Sequence, residues 1–111
     1  MRPYKPYIPQ NISEIWDLLG SMMISSPLFV DTSGFFAEKS IETEFFKLKE
    51  GLGMVREKLG EERYGKLVDM ANRMRAHFEA DPEDKTDDSL AGRRLIQEME
   101  KELKQVRGWT D

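Results

Sequence analysis

The segment EADPEDKTDD, residues 79–88, concentrates the ionisable side chains of this sequence: six of its ten residues are acids, and Lys85 is the only cation among them. Clustered carboxylates suggest calcium, but an EF-hand needs oxygen ligands at its first, third and fifth positions and glutamate at its twelfth. With Asp81 as the first position, the fifth is Lys85 and the twelfth is Gly92. The pattern fails, so we predict no metal site.

No catalytic set emerges elsewhere in the sequence. We expect the single histidine, His77, to be a solvated or hydrogen-bonded helix residue, with acid–base catalysis as the minor alternative. The triplet GLG, residues 51–53, lacks the lysine that follows in a phosphate-binding loop. Carboxylates for glycoside hydrolysis would have to face each other across a cleft, which one turn does not provide. We therefore predict a protein that is not an enzyme and uses no cofactor.

Length, composition and charge restrict the classes of partner. The chain has 111 residues, enough for one domain with its own core, and no cysteine for disulfides or zinc. A net charge of −4 disfavours nucleic acid, because phosphate binding depends on lysine and arginine, but it suits a basic protein. We find no signal-peptide core and no run near the roughly 18 apolar residues of a membrane span. We expect a soluble cytoplasmic protein with no membrane contact.

Two helical patterns flank the acidic segment. Before it, apolar residues recur every three or four positions at Tyr64, Leu67, Ala71, Met74 and Phe78. After it, the same spacing runs through Leu95, Met99, Leu103 and Val106. This spacing predicts helices over 61–80 and 87–107, the second capped by Thr86 and closed by Gly108. A short link between two such helices favours an antiparallel hairpin.

Two further helices are predicted in the N-terminal half. One covers 12–24, where Asn11 and Glu14 match a capping box. The other covers 40–59, with Ser40 as its cap and Gly60 at its end. The apolar stripe of the first consists of Ile12, Ile15, Trp16, Leu19, Met22 and Met23. Gly51 and Gly53 weaken the second helix, and they either admit a close neighbour or produce a kink.

The remaining segments are not helical in pattern. Prolines at every third position predict that residues 1–10 form an extended arm. We expect Tyr4, Tyr7 and Ile8 to pack this arm on the body of the protein. The alternatives are a frayed tail or a segment that contacts a partner. Residues 25–39 are too apolar for a solvated loop. We predict an irregular connection tucked under the helices, and the alternative is an exposed aromatic patch for a partner.

Together these patterns predict one all-α domain over 1–111, a compact bundle of about four helices whose C-terminal half is a helical hairpin. We expect Trp16 to lie in the core, with an interface anchor as the alternative. The predicted core consists of Phe45, Leu48, Leu52, Val55, Leu67, Met74, Phe78, Leu95, Met99 and Leu103.

A family resemblance adds a functional expectation. The segments KLGEERYGKLVDMANRMRAHFEADPEDKT and LAGRRLIQEMEKEL resemble small bacterial immunity proteins, which are encoded beside polymorphic toxins of contact-dependent inhibition and Rhs systems. The resemblance covers residues 40–103. It implies a protein without catalytic residues that binds a toxin domain made by its own cell or siblings and blocks it as a heterodimer. The family does not fix which toxin is bound.

The acidic segment has two interpretations. In the first interpretation the acids favour the N-terminus of the following helix and keep the turn soluble. In the second they form a negative surface that binds a basic toxin. A nuclease would be such a toxin, because its active site is basic to bind phosphates. For the second interpretation the predicted toxin-binding residues are Asp81, Glu83, Asp84, Asp87 and Asp88, with Phe35 and Phe36 as further anchors unless they lie in the core. The alternative function is a helical adaptor or regulatory subunit that binds an unrelated basic protein.

Overall fold

The computed structural model describes residues 7–27, 29 and 40–106. The elements are α1 (Ile12–Ser25), α2 (Ile41–Met54), the single-turn α3 (Arg56–Leu59), α4 (Glu61–Ala80) and α5 (Asp87–Lys104). No strand occurs in these residues, and the predicted all-α class is confirmed. None of these helices is long and apolar enough to cross a lipid bilayer.

Side-chain caps determine where three of the helices begin. Asn11, Ser40 and Thr86 each accept a backbone N–H from the first turn that follows, at 2.8, 3.3 and 3.2 Å. Each bond satisfies a donor that has no partner within the helix. All three predicted caps are confirmed. The capping box expected at α1 differs in one bond, because the Glu14 carboxylate accepts from the N–H of Gln10 at 2.7 Å.

The helix predicted over 40–59 is interrupted at Val55. This residue has φ −110° and ψ 16°, and its N–H donates to the carbonyl of Leu52 at 3.3 Å instead of continuing the α-helical ladder. Gly53 precedes the break and weakens the helix there. After the break, Val55 and Leu59 are both buried, at 7% and 5% exposure. Both apolar side chains thus remain in the core despite the interruption.

The end of the N-terminal arm packs on α2 through Pro9. Pro9 is buried, and a Cβ on Gly51 would lie 3.0 Å from its ring. Glycine therefore supplies the room for this contact. Tyr7 is exposed, but its hydroxyl donates to the Glu14 carboxylate at 2.9 Å, which raises the pKa of the phenol. Packing of the arm is confirmed at Pro9, whereas Tyr7 is exposed rather than packed and Tyr4 lies outside the described residues.

The predicted hairpin of α4 and α5 is present. Arg63 near the start of α4 donates to Glu102 near the end of α5 at 3.1 Å, and His77 near the end of α4 bonds Asp88 at the start of α5 at 2.9 Å. The two helices therefore run antiparallel. Helix α1 packs on α5 and α2, and α2 packs on α4, which closes a ring of four helices. Helix α5 ends at Lys104 rather than at residue 107, and Gly108 lies outside the described residues.

All ten predicted core residues are buried, none more than 7% exposed. Phe29 is also buried, and its ring packs edge-on against Phe45 and Phe78, with centroids 5.6 and 5.1 Å apart. Such edge-to-face pairs stabilise a core beyond the area they bury. The tucked connection is thereby confirmed at Phe29, whereas residues 30–39 lie outside the described part. Trp16 is half-buried against the core, beneath the ammonium group of Lys104 at 5.1 Å.

Candidate functional site

The acidic connection, defined here as residues 81–88, is built around Asp81. Its side chain is buried at 3% exposure. The carboxylate accepts the backbone N–H groups of Lys85 at 2.7 Å, Thr86 at 3.0 Å and Ser89 at 3.3 Å. Its backbone carbonyl accepts the N–H of Asp84 at 3.1 Å. These bonds fold the connection around one side chain and fix its shape.

Asp81, one of the predicted toxin-binding residues, therefore lies inside the connection and not on its surface. Burial alone raises the pKa of Asp81, but the hydrogen bonds from Lys85, Thr86 and Ser89 outweigh it and hold the pKa well below its usual range. The carboxylate is therefore charged and consumed by bonds within the connection. Counting charges along the sequence cannot distinguish such an internal acid from a surface acid.

Asp84 ties the acidic connection to two helices. Its backbone is in the left-handed region, with φ 57°, which aspartate tolerates better than most residues. The carboxylate accepts two hydrogen bonds from the Arg93 guanidinium, at 3.3 and 2.8 Å. Arg93 Nε donates in turn to the hydroxyl of Ser26, just after α1, at 2.9 Å. Asp84 is thus positioned by α5 and by the end of α1 together.

The other acids of the connection differ in exposure and pairing. Asp88 is bonded to His77 Nδ1 at 2.9 Å, which confirms the expected hydrogen-bonded role of that histidine. Glu83 pairs with Lys85 at 2.8 Å, and both side chains are largely exposed. Asp87 is exposed in the first turn of α5, and its carboxylate has no ion pair among the residues that the structure describes.

The charge excess is therefore smaller than the sequence indicates. Sequence counting found only Lys85 opposing six acids. The fold adds Arg93 on Asp84 and Arg75 on Glu79, the latter pair at 3.3 Å. The second pair could have been found from its i,i+4 spacing. The pair of Arg93 with Asp84 depends on how the connection folds back on α5, and no rule of sequence spacing predicts that.

Apolar side chains are exposed close to these acids. Leu90 is 45% exposed and lies three residues after Asp87, on the same side of α5. Ile24, in the last turn of α1, is 87% exposed and precedes Ser26, the residue held by Arg93. Neither was singled out from the sequence. Phe35 and Phe36, which were, lie outside the described residues.

The described surface gives no support to a metal site. It contains no group of three or more candidate metal ligands. A depression of about 460 Å³ opens beside Gly60, where Arg63 and Lys66 line the wall. Both cations engage Glu102, at 3.1 and 3.0 Å, and these hydrogen bonds, that of Lys66 foremost, lower its pKa. Because the cations are already paired, the depression is not built to hold an anion.

Comparisons with known proteins do not identify the chain further. No family model matches it, and no curated protein or solved structure matches it significantly. The relation to immunity proteins is therefore a prediction that rests on the sequence segments quoted above, and the structure supplies the geometry on which a functional proposal is built.

Proposed function

We propose that this protein is an immunity protein that binds a bacterial toxin domain and neutralises it as a stoichiometric complex. One observation supports this most directly: a pre-shaped acidic connection, held by Asp81 and by the contact of Asp84 with Arg93, lies next to the exposed apolar side chain of Leu90. A shape that is fixed before binding loses little entropy in the complex.

The chemistry of this surface suits a basic toxin such as a nuclease. A nuclease concentrates lysine and arginine where it binds phosphates. The carboxylates of Glu83, Asp84 and Asp87 would attract such a basic surface and then cover it in the complex. Their charges would raise the association rate more than the affinity. Leu90 would supply apolar burial at the centre of the contact. Inhibition then needs no catalytic group, only occupation of the site that the substrate would use.

The test needs the cognate toxin and two matched variants. The expected toxin is the C-terminal domain of the large protein encoded directly before this gene, and the two should co-purify. The first variant neutralises the four acids of the connection other than Asp81: Glu83→Gln, Asp84→Asn, Asp87→Asn, Asp88→Asn. The control neutralises four exposed acids elsewhere: Glu57→Gln, Glu62→Gln, Asp69→Asn, Glu98→Gln. Each removes four negative charges and so changes the net charge from −4 to 0.

We expect the first variant to associate with the toxin about tenfold or more slowly than the control, and with a weaker dependence on salt. Stopped-flow association at several salt concentrations measures both. Equal rates for the two variants would mean that the acidic connection is only a solvated turn. If the neighbouring protein does not bind at all, the immunity function is refuted, and a helical adaptor for another basic protein becomes the better explanation.

A further inference from the structure

Arg93 of α5 joins three parts of the molecule through one side chain. Its Nε donates to the hydroxyl of Ser26, just after α1, at 2.9 Å, and its two terminal nitrogens donate to the Asp84 carboxylate at 3.3 and 2.8 Å. The Ser26 hydroxyl donates in turn to the carbonyl of Met23 at 3.0 Å, so the oxygen that receives Arg93 is itself held by α1. The planar guanidinium is therefore engaged along two edges, and only 27% of the side chain is exposed.

The first half of the acidic connection depends on this link. The hydrogen bonds to the Asp81 carboxylate come from residues that follow Asp84 in the chain. Asp84 itself is in the left-handed region, with φ 57°, a conformation that persists where neighbouring contacts hold it. Those contacts are the bond from its N–H to the carbonyl of Asp81 at 3.1 Å and the two bonds from Arg93. Arg93 is therefore placed to keep this turn, with its carboxylate, against α5.

We propose that Arg93 is a positioning residue of the toxin-binding surface: it holds the acidic connection in the shape that fits the partner and does not itself bind the partner. This role rests on the proposed function, to which it adds the residue that fixes where the acids lie. Arg93 comes three residues after Leu90, so the link attaches the connection to the turn of α5 that follows this exposed apolar side chain. A partner that contacts the carboxylates and Leu90 together binds best when their spacing is already set.

Charge and shape predict opposite effects for the loss of Arg93. A neutral side chain at this position changes the net charge from −4 to −5 and releases the Asp84 carboxylate. If the acids acted by charge alone, a basic toxin would then bind more tightly. If Arg93 positions the connection, the toxin binds more weakly, because it must order a loosened turn in the complex.

Three variants and one matched control test this role. Arg93→Gln removes both the charge and the fork of donors, whereas Arg93→Lys keeps the charge but lacks the planar group that reaches two acceptors at once. Ser26→Ala removes the hydroxyl that accepts from Nε and leaves the pair with Asp84 present. This mildest variant, with Arg93→Lys, decides the outcome if Arg93→Gln does not fold. The control is Arg94→Gln, which makes the same change in charge at the next residue, exposed and without an ion pair among the described residues.

Amide hydrogen exchange of the free chain should quicken at the N–H of Asp84 in all three variants and stay at the wild-type rate in Arg94→Gln. Calorimetric titration then uses the C-terminal domain of the protein encoded directly before this gene. We expect Arg93→Gln to raise the dissociation constant about tenfold or more relative to Arg94→Gln. Arg93→Lys and Ser26→Ala should raise it in the same direction relative to the wild type.

Three results would overturn the positioning role of Arg93. Unchanged exchange at Asp84 would mean that Arg93 does not hold the connection. Quicker exchange with an unchanged dissociation constant would mean that the partner does not need the held shape. Tighter binding by Arg93→Gln than by Arg94→Gln would mean that the pair only masks a charge. A wild-type chain that does not bind the domain refutes the proposed function and this role together, and the wild-type titration alone distinguishes that outcome from the other three.

Discussion

Gly92 of α5 lies against the ring of Phe78 in α4 and leaves no room for a side chain. A Cβ placed on Gly92 would lie 2.6 and 2.7 Å from two ring carbons and 3.0 Å from a third. The ring cannot simply swing away, because Phe78 is fully buried and packs on Phe29. The substitution Gly92→Ala therefore tests whether these two helices approach as closely as the structure describes.

Two opposing terms set the magnitude for Gly92→Ala. Alanine is favoured over glycine inside a helix by about 1 kcal/mol. Forcing an extra methyl group into a packed core costs typically about 1–3 kcal/mol. We therefore expect a net loss of roughly 0–2 kcal/mol in the free energy of unfolding. The equivalent Gly65→Ala in α4 meets open space, so only the first term applies and the protein should gain up to about 1 kcal/mol.

Urea unfolding followed by circular dichroism measures both variants. The midpoint should fall or stay level for Gly92→Ala and rise for Gly65→Ala, with a difference of about 1–3 kcal/mol between them. In the background of Phe78→Leu, which shortens the opposing side chain, Gly92→Ala should cost less, and a double-mutant cycle isolates that coupling. If Gly92→Ala stabilises as much as Gly65→Ala, the described packing of α4 on α5 is refuted.

Two further predictions follow from the core and from the acidic connection. Leu52→Ala removes a fully buried side chain and should lower the free energy of unfolding by about 2–5 kcal/mol. Leu90→Ala, at an exposed position, should change it by less than about 0.5 kcal/mol. Urea unfolding midpoints measure both effects. Folding lowers the pKa of Asp81, so the Asp81 carboxylate stabilises the protein fully above the usual carboxylate pKa range, and this stabilisation is lost as the pH falls below about 4. Asp81→Asn removes this titrating group. When urea midpoints are measured against pH, they should therefore decline less steeply on the acid side for Asp81→Asn than for the wild type.

The helices could be predicted because their caps and their buried faces both depend on residues that are close in sequence. Caps at Asn11, Ser40 and Thr86 satisfy donors within one turn, so residues adjacent in sequence suffice to identify them. The three–four spacing of apolar residues reports which face is buried, and that face remains the same whatever it packs against. Phe45 and Phe78 could therefore be assigned to the core without knowing that Phe29 lies between them.

Apolar spacing and capping residues could not predict the break at Val55 or the contact of Pro9 with Gly51. The spacing of apolar residues continues unchanged across Val55, so periodicity alone indicates one long helix. Gly53, two residues before the break, weakens the helix but does not by itself show whether the helix continues or breaks. For Gly51, the sequence indicated room for a neighbour, but only the fold brings Pro9 into that space.

The acidic connection shows what composition alone does not reveal about a cluster of acids. Five acids between residues 81 and 88 look equivalent in sequence, yet the structure places them in different surroundings. Asp81 shapes the connection from inside, and Asp84 and Asp88 are held by Arg93 and His77. Cations lie beside Glu83 and Asp84, whereas Asp87 is exposed next to Leu90 and has no ion pair among the described residues, so Asp87 should contribute most to steering among these three carboxylates. A contact that combines one free carboxylate with one apolar anchor is more selective than a run of acids, because it requires a cation and a pocket at a fixed spacing on the partner.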